Sequence, residues 1–441
     1  MTAPVLQRLD DASPTSPDAP SVGRAGPVGN SGDPSHDGRA GDVAPAASSL
    51  AELLGSGVDR LVEQLAATAV QRDREGGHAA EQRKLIRASG LLALTIPEAH
   101  GGLGGGLPEF FQVVRRVARV DSALAHVLAF HHLQLFGVSL YGGPAATAHG
   151  ARHLRETAEQ RLFWGNALNP ADTRLTAVRD EREGAGWRLD GVKSFCSGAL
   201  GSDRLTVSAT TAEGGFLIGI VPTRREGVRV EQDWDAFGQR QTDSGTVRFD
   251  AVRLDDDELL QVPGQSPTPR ATLRSQIAQL IMTHLYLGIG EGAFDEARRY
   301  TATRGRAWSA SGVARAVDDP LVQHRYGDLW LKVRAAQAVA ADAVDLLRRA
   351  LALGDALTAQ ERGEVALAGA EAKVLAHRAG VEVSSQLFEL TGARSTSAEF
   401  GLDRFWRNAR VHTLHDPVDY KLRDLGRFFL DGRIPDPTAY S

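Results

Sequence analysis

Residues 189–198, LDGVKSFCSG, sit inside the stretch whose reading divides the chain. From about 161 to 254 the sequence breaks into short apolar or alternating runs, at 175–178, 187–189, 205–209, 216–221 and 246–249, with Gly, Asp and Pro between them. Period-two runs bounded by turn residues predict a small antiparallel β domain, barrel-like in closure. No convincing helix interrupts it, which argues against a βαβ dinucleotide fold. On the N-terminal side, Ser48 and Ser49 offer N-caps to Leu50, Leu53, Leu54, Val58 and Leu61 at helical spacing. A second helix is predicted over 79–88, ending at Gly90, and others near 108–120 and 122–141 beyond the Gly-dense loop 101–106. That loop has no following Lys-Ser/Thr, so it reads as a connection or hinge, not a phosphate cradle. On the C-terminal side, after 262–269, helical periodicity resumes over about 272–303, 320–353 and 358–390. Helices of that length pack as a bundle.

The fold class is therefore α+β, with a disordered tail over 1–47, a helical domain over 48–160, a β domain over 161–265 and a helical bundle over 266–441. The tail is assigned from its Pro, Gly, Ser, Asp and Ala content, which offers too little apolar surface to offset ordering entropy. A net charge of -5 supplies no basic field for nucleic acid. Cys196 is the only cysteine, which excludes an internal disulfide and a Cys-based zinc site. No His-Glu-x-x-His or other metal spacing occurs. No apolar run approaches the roughly 18 residues of a membrane span, and the N-terminus lacks a secretory pattern. A cytoplasmic location is expected.

The order of these blocks resembles the acyl-CoA dehydrogenase superfamily. Leu94-Thr95-Ile96-Pro97-Glu98 followed by His100-Gly101-Gly102-Leu103-Gly104 is similar to its Pro-Glu-x-x-Gly-Gly-x-Gly loop. LDGVKSFCSG is similar to its Gly-x-Lys turn and flavin-facing strand. The segments FCSGALGSDRL, WDAFGQRQTDSGTVRF, IAQLIMTHLYLGIGEGAFDEARRYT and LDRFWRNARVHTLHDPVDYK, with the closing Pro435-Asp436-Pro437, resemble one branch, the dibenzothiophene monooxygenases of bacterial desulfurisation. The resemblance spans roughly residues 50–441 and implies an acyl-CoA dehydrogenase-like fold with a C-terminal four-helix bundle. It implies a two-component enzyme that takes FMNH2 from a separate NAD(P)H:flavin reductase. A C4a-(hydro)peroxyflavin formed with O2 would oxygenate an organosulfur compound, dibenzothiophene-like, from sulfide to sulfoxide to sulfone. A homotetramer is also implied. The alternatives are an FAD-dependent acyl-CoA dehydrogenase, an N-oxygenase of the same fold, and a non-catalytic scaffold.

The resemblance also nominates residues. Ser197 falls beside the flavin N5 edge, flanked by Phe195 and Cys196; by its local sequence alone it reads as a serine satisfied by its own strand or turn. Asn166, in Trp164-Gly165-Asn166-Ala167, is a polar contact to flavin or peroxide, with Asn169 a weaker competitor that could equally cap a turn. Arg306 and Arg394 resemble phosphate-binding arginines, Arg394 being offered to a neighbouring subunit's flavin; they favour FMN over FAD. His415 stands about where a dehydrogenase carries its glutamate base. An imidazole, whose unperturbed pKa is about 6.5, can protonate a departing oxyanion at neutral pH. Asp416 reads as its orienter or, with Pro417, as the N-cap pair of the last helix, and the cap is the preferred reading. Among His126, His131 and His132, spacing favours His126 as the active-site histidine. Phe130 then stands where the branch has a tyrosine.

Overall fold

Ser49 caps the first described helix, its hydroxyl accepting Glu52 N at 3.2 Å. The computed structural model describes residues 49–141, 144–180 and 186–441; the disordered tail expected over 1–47 lies outside the described residues. The N-terminal helices are α1 (Leu50–Glu52), running through a π turn at Leu53–Gly57 into α2 (Val58–Ala66), then α3 (Ala69–Glu75) and α4 (Ala80–Ser89). Gly90 ends α4 in the left-handed region, φ 87°, as expected of a C′ glycine. After the Gly-rich loop come α5 (Leu107–Ala118), α6 (Ser122–Leu140) and α7 (Pro144–Gln160). In that loop Gly104 N donates to Ile96 O at 2.9 Å and Gly105 N to Leu94 O at 2.8 Å, folding it onto the Pro97 turn. Asp121 caps α6 through Leu124 N at 3.0 Å. Among the described helices α6 alone is long and apolar enough to cross a bilayer, but 89% of that window is buried inside the protein. It is a core helix.

The β domain contains β1 (Trp164–Ala167), β2 (Thr176–Arg179), β3 (Trp187–Lys193), β4 (Arg204–Thr210), β5 (Phe216–Pro222), β6 (Val228–Val230), β7 (Val247–Leu254) and β8 (Leu259–Gln261). The order is β6-β7-β3-β2-β4-β5-β8, with β1 beside β4. The pairs β2–β3, β4–β5, β6–β7, β3–β7 and β5–β8 are antiparallel, for example Leu205↔Val221 through Ala209↔Leu217 in β4–β5. Two joins are parallel instead, β1 along β4 from Trp164↔Arg204 and β2 touching β4 at Thr176↔Thr210. Neither is a hairpin: long connections join these strands, so no tight turn dictates direction. Leu189, Leu205, Val207, Leu217, Val221, Val247 and Val252 fill the domain's core.

The residues expected to turn at 191–193 do not turn. They continue β3 through a bulge between Leu189 and Gly191, which slips the register against β7. Gly191 has φ 129°, and a Cβ there would collide with Arg174 O. The chain leaves regular structure only at Ser194, so Ser197 lies in a turn rather than on a strand.

The C-terminal helices are α8 (Pro269–Thr303), α9 (Pro320–Ala352), α10 (Ala359–Thr391), α11 (Asp403–Thr413) and α12 (Val418–Asp431). Thr268, Asp319 and the Thr358/Glu361 capping box start the three long ones. Each spans about 50 Å at 1.5 Å per residue. α10 lies along α8 and α9, and α11 and α12 complete the bundle against it. Residues 432–441 return across the bundle as a strap, with Ser275 Oγ donating to Ser441 O at 3.1 Å.

Candidate active site

The exit of β3 is held by buried polar bonds. Lys193 is 1% exposed, and its Nζ donates to Asn169 O at 2.9 Å and to Asp172 O. The Asp172 carboxylate takes both Ser194 N and Ser194 Oγ at 2.9 Å. The side-chain bond from Arg174, with those from Ser194, holds that carboxyl well below the usual carboxylate range against the opposing effect of burial. The next residue, Phe195, adopts φ 57° and leaves its ring 62% exposed, edge-on to Trp234 at 6.2 Å. Cys196 turns the other way. Its thiol packs in the β core, donates to Lys193 O at 3.4 Å, and is pushed up to about 12 by burial.

Ser197 is buried, and its hydroxyl pairs with Ser244 Oγ at 2.8 Å. Ser244 donates on to Thr242 Oγ1 at 2.8 Å, and Thr242 to Gln239 O at 3.0 Å. Asn166 N on β1 donates to Ser197 O at 3.0 Å, which brings these two nominated residues together. The Asn166 side chain faces α6: its Oδ1 accepts Leu168 N at 3.2 Å and Gln134 Nε2 at 3.4 Å, and Gln134 Oε1 accepts a buried Arg274 guanidinium at 3.0 Å. Asn169 is a loop clip, donating to Ser194 O at 3.3 Å and accepting Ala171 N at 3.2 Å.

The three histidines of α6 separate by their partners. Trp164 N donates to His131 Nδ1 at 3.1 Å and His131 Nε2 meets Leu92 O at 2.9 Å, so this ring is a neutral structural bridge, lowered to about 4 by burial. His132 is likewise satisfied by Leu91 O at 2.9 Å and Thr95 Oγ1 at 2.8 Å. His126 is not. Both its ring nitrogens are buried without a partner among the described residues. The ring stacks on Phe130 at 4.1 Å and meets His412 edge-on at 4.8 Å. His412 also has two unpartnered ring nitrogens and is lowered to about 3, first by burial. A buried polar group without a partner is costly. Two facing each other mark a place where a ligand would supply the missing bonds.

His415 follows α11, its backbone N on His412 O at 3.0 Å. Its Nδ1 meets Asp416 Oδ1 at 2.9 Å, and the imidazole, 38% exposed, lies edge-on to Tyr440 of the strap at 5.8 Å. It borders a cavity of about 450 Å³ whose wall includes Tyr420, Lys421, Arg427, Pro435 and Tyr440. Asp416 does not cap α12. Pro417 occupies that position with no side-chain cap bond, while Asp416 is ion-paired to Lys373, which is fully buried. The capping expectation fails because a buried ammonium needs a counter-ion more than an exposed helix end needs a cap.

Arg306 and Arg394 are both exposed and have no ion-pair partner among the described residues. They follow α8 and α10 at one end of the bundle, where Thr301 Oγ1 donates to Leu390 O at 3.1 Å. No described contact ties either to Ser197 or His415, so the structure resolves the nominated residues into three groups. Sequence reading missed Lys373, His412, Ser244 and the Gln134–Arg274 pair. Lys373 carried a signal, a lone cation amid Ala370, Ala372, Val374 and Leu375. Ser244 carried none, because its partner is 47 residues away.

Models of the acyl-CoA dehydrogenase N-terminal, middle and C-terminal domains match residues 51–149, 167–252 and 280–420. The chain is 46% identical to the probable FMNH2-dependent monooxygenase SfnC of Pseudomonas putida, over 86% of this chain and 95% of that one. Methanesulfinate monooxygenase MsuC from Pseudomonas fluorescens superposes with a TM-score of 0.84 at 47% identity, covering 87% of this chain and 98% of that one. The FMN-bound dibenzothiophene monooxygenase TdsC from Paenibacillus sp. A11-2 does so with 0.83 at 38%, covering 88% and 100%. The fold expected from the order of the blocks is the one observed, and the chain belongs to the acyl-CoA dehydrogenase family, in the branch of its FMNH2-dependent and dibenzothiophene monooxygenases.

Proposed function

We propose that this chain is the oxygenase of a two-component system, using reduced FMN from a separate NAD(P)H:flavin reductase to oxygenate an organosulfur compound. The observation that carries this reading is the pairing of Asp416 with Lys373 beside His415. A dehydrogenase needs a free carboxylate here to remove an α-proton. The carboxylate present is already committed, and the group it presents is an imidazole suited to giving a proton.

The donor set fits FMN: a Ser197 hydroxyl on a three-residue relay, Asn166 bonded to the same loop, and two exposed arginines with no ion-pair partner among the described residues. Bound reduced FMN supplies the two electrons that activate O2. Around it, Ser197 and Asn166 would hold the ring edge at N5, and the exposed Phe195 ring would cover it. Arg306 would take the phosphate, with Arg394 reaching a neighbouring subunit's flavin. His126 and His412, neutral because burial disfavours their charged forms, would hydrogen-bond the transferring oxygen or the substrate without bringing water in. His415, held through Nδ1 by Asp416, would hold and give a proton at Nε2.

Two substrate types are supported. The dibenzothiophene enzymes favour an aromatic thioether; the methanesulfinate enzyme, at 47% identity, favours a small alkyl sulfur oxyanion. Phe130, stacked on His126, gives that part of the wall an apolar face and no phenol. The test is reduced FMN and O2 with dibenzothiophene, methanesulfinate and an acyl-CoA in parallel, followed by mass detection. One sulfur substrate gains oxygen on this reading. Acyl-CoA turnover with a dye acceptor and no oxygenated sulfur product overturns it.

The same reading extends to a cytoplasmic homotetramer with domains over 48–160, 161–265 and 266–441. The apolar residues left exposed on α9 and α12, among them Leu321, Leu331, Phe429 and Leu430, support association through those helices.

A further inference from the structure

We propose that Lys373 is a positioning residue for His415, acting through Asp416, so that a buried Lys–Asp–His relay fixes the tautomer and charge of the imidazole. This rests on the reading of His415 as the proton donor. Lys373 enters from the middle of α10, 0% exposed, and its Nζ bonds Gln279 Oε1 on α8 at 2.7 Å as well as Asp416 Oδ1. The same oxygen, Oδ1, receives His415 Nδ1 at 2.9 Å. One carboxylate oxygen therefore joins a cation sealed in the bundle to an imidazole open to the cavity.

Three consequences follow from that geometry. Asp416 stays ionised: burial alone would raise its pKa, but the His415 bond and the Lys373 charge outweigh it and hold it below the usual carboxylate range. An ionised Asp416 only accepts, so His415 Nδ1–H is fixed on it and the proton that the imidazolium can give up is the one on Nε2, on the ring's other side. Finally, Lys373 cancels the carboxylate's charge. An unpaired aspartate would favour imidazolium strongly, whereas a neutral Lys–Asp pair orients the ring and leaves it free to exchange its proton.

The surrounding groups do not supply an alternative. His126 on α6 and His412 on α11 are buried and neutral. Tyr286 on α8 is raised by burial and donates to His412 O, and Tyr440 on the strap is raised too. His377 on α10 is lowered, first by burial. Lys421 on α12 is a further cation near Asp416, and its Nζ is spent on Tyr440 O. Of the other charged groups lining the cavity, Arg423 is paired with Asp424 and Arg433 with Asp431, while Arg427 and Asp436 make no described bond to His415 or Asp416.

The test compares Lys373→Met, Lys373→Arg and His415→Ala in the full chain. The pH dependence of diethylpyrocarbonate modification at His415, read by peptide mass spectrometry on the flavin-free protein, gives the imidazole's midpoint without turnover. Lys373→Met moves that midpoint up by about one unit, and lowers the ratio of oxygenated product to peroxide; Lys373→Arg restores both toward wild type. In the His415→Ala background, Lys373→Met changes coupling no further. An unchanged midpoint and coupling in Lys373→Met overturns the relay. If Lys373→Met does not fold, Lys373→Met/Asp416→Asn removes both charges together; the midpoint then stays near wild type while coupling falls because the ring has lost the carboxylate that fixes it, and coupling like wild type in that protein overturns the relay equally. Full coupled turnover by His415→Ala instead overturns the reading of His415, while the midpoint measurement still decides whether Lys373 sets its charge.

Discussion

His415 and Ser197 carry different information. Ser197 belongs to a hydroxyl relay through Ser244 and Thr242 that any flavin enzyme of this fold could use, so it speaks for cofactor and not for reaction. His415 speaks for reaction, because its neighbouring carboxylate is taken. Replacing His415 by Ala leaves Tyr440 and Asp416 in place and removes a side chain 38% exposed, so FMN affinity and folding stay near wild type. Product formation falls about 10²-fold or more, the usual worth of a positioned acid, and oxygen consumption continues as peroxide; product and peroxide assays side by side read both. The nominations of Ser197, Asn166, His126 and His415 could be made because the segments that carry them resemble those of a known family. The partners that give them meaning could not: Lys373 meets Asp416 across 43 residues of chain and Gln134 meets Asn166 across 32, distances at which no local pattern survives.

At the scale of elements, the long helices α8, α9 and α10 were legible almost to their ends, since each has a capping residue and an unbroken apolar period. The β domain was legible as a class but not in pairing. The β1–β4 join is parallel because it is made by packing and not by a turn, and nothing near Trp164 announces it. The bulge at Gly191 is read as a turn from the resemblance of 191–193 to a Gly-x-Lys turn, and only the β7 partner shows that the strand continues. The bulge sets which way residues 194–197 leave β3, and so places Ser197. Gly191→Ala must relieve a collision with Arg174 O at φ 129° and destabilises the protein by about 2 kcal/mol or more. Denaturant unfolding checks the loss, and weaker FMN binding accompanies it. A loss within experimental error would show that the bulge tolerates a side chain.

At the scale of the whole molecule, the chain leaves apolar residues in solvent where the bundle has no further internal partner: Leu331 is 67% exposed on α9 and Leu430 89% on α12. Association through these helices would cover them, and on the proposed reading Arg394 serves a neighbouring subunit's flavin. Leu331→Glu and Leu430→Glu together shift the assembly toward smaller species in analytical ultracentrifugation, and FMN affinity falls with it. The central claim, that this fold has been turned from removing hydrogen to transferring oxygen, is tested most directly by turnover under ¹⁸O₂ with reduced FMN and the better of dibenzothiophene and methanesulfinate. Mass spectrometry should find one ¹⁸O in the product for each oxygenation step, with none from water. A product labelled from water, or no oxygenated product while an acyl-CoA is dehydrogenated, would contradict it.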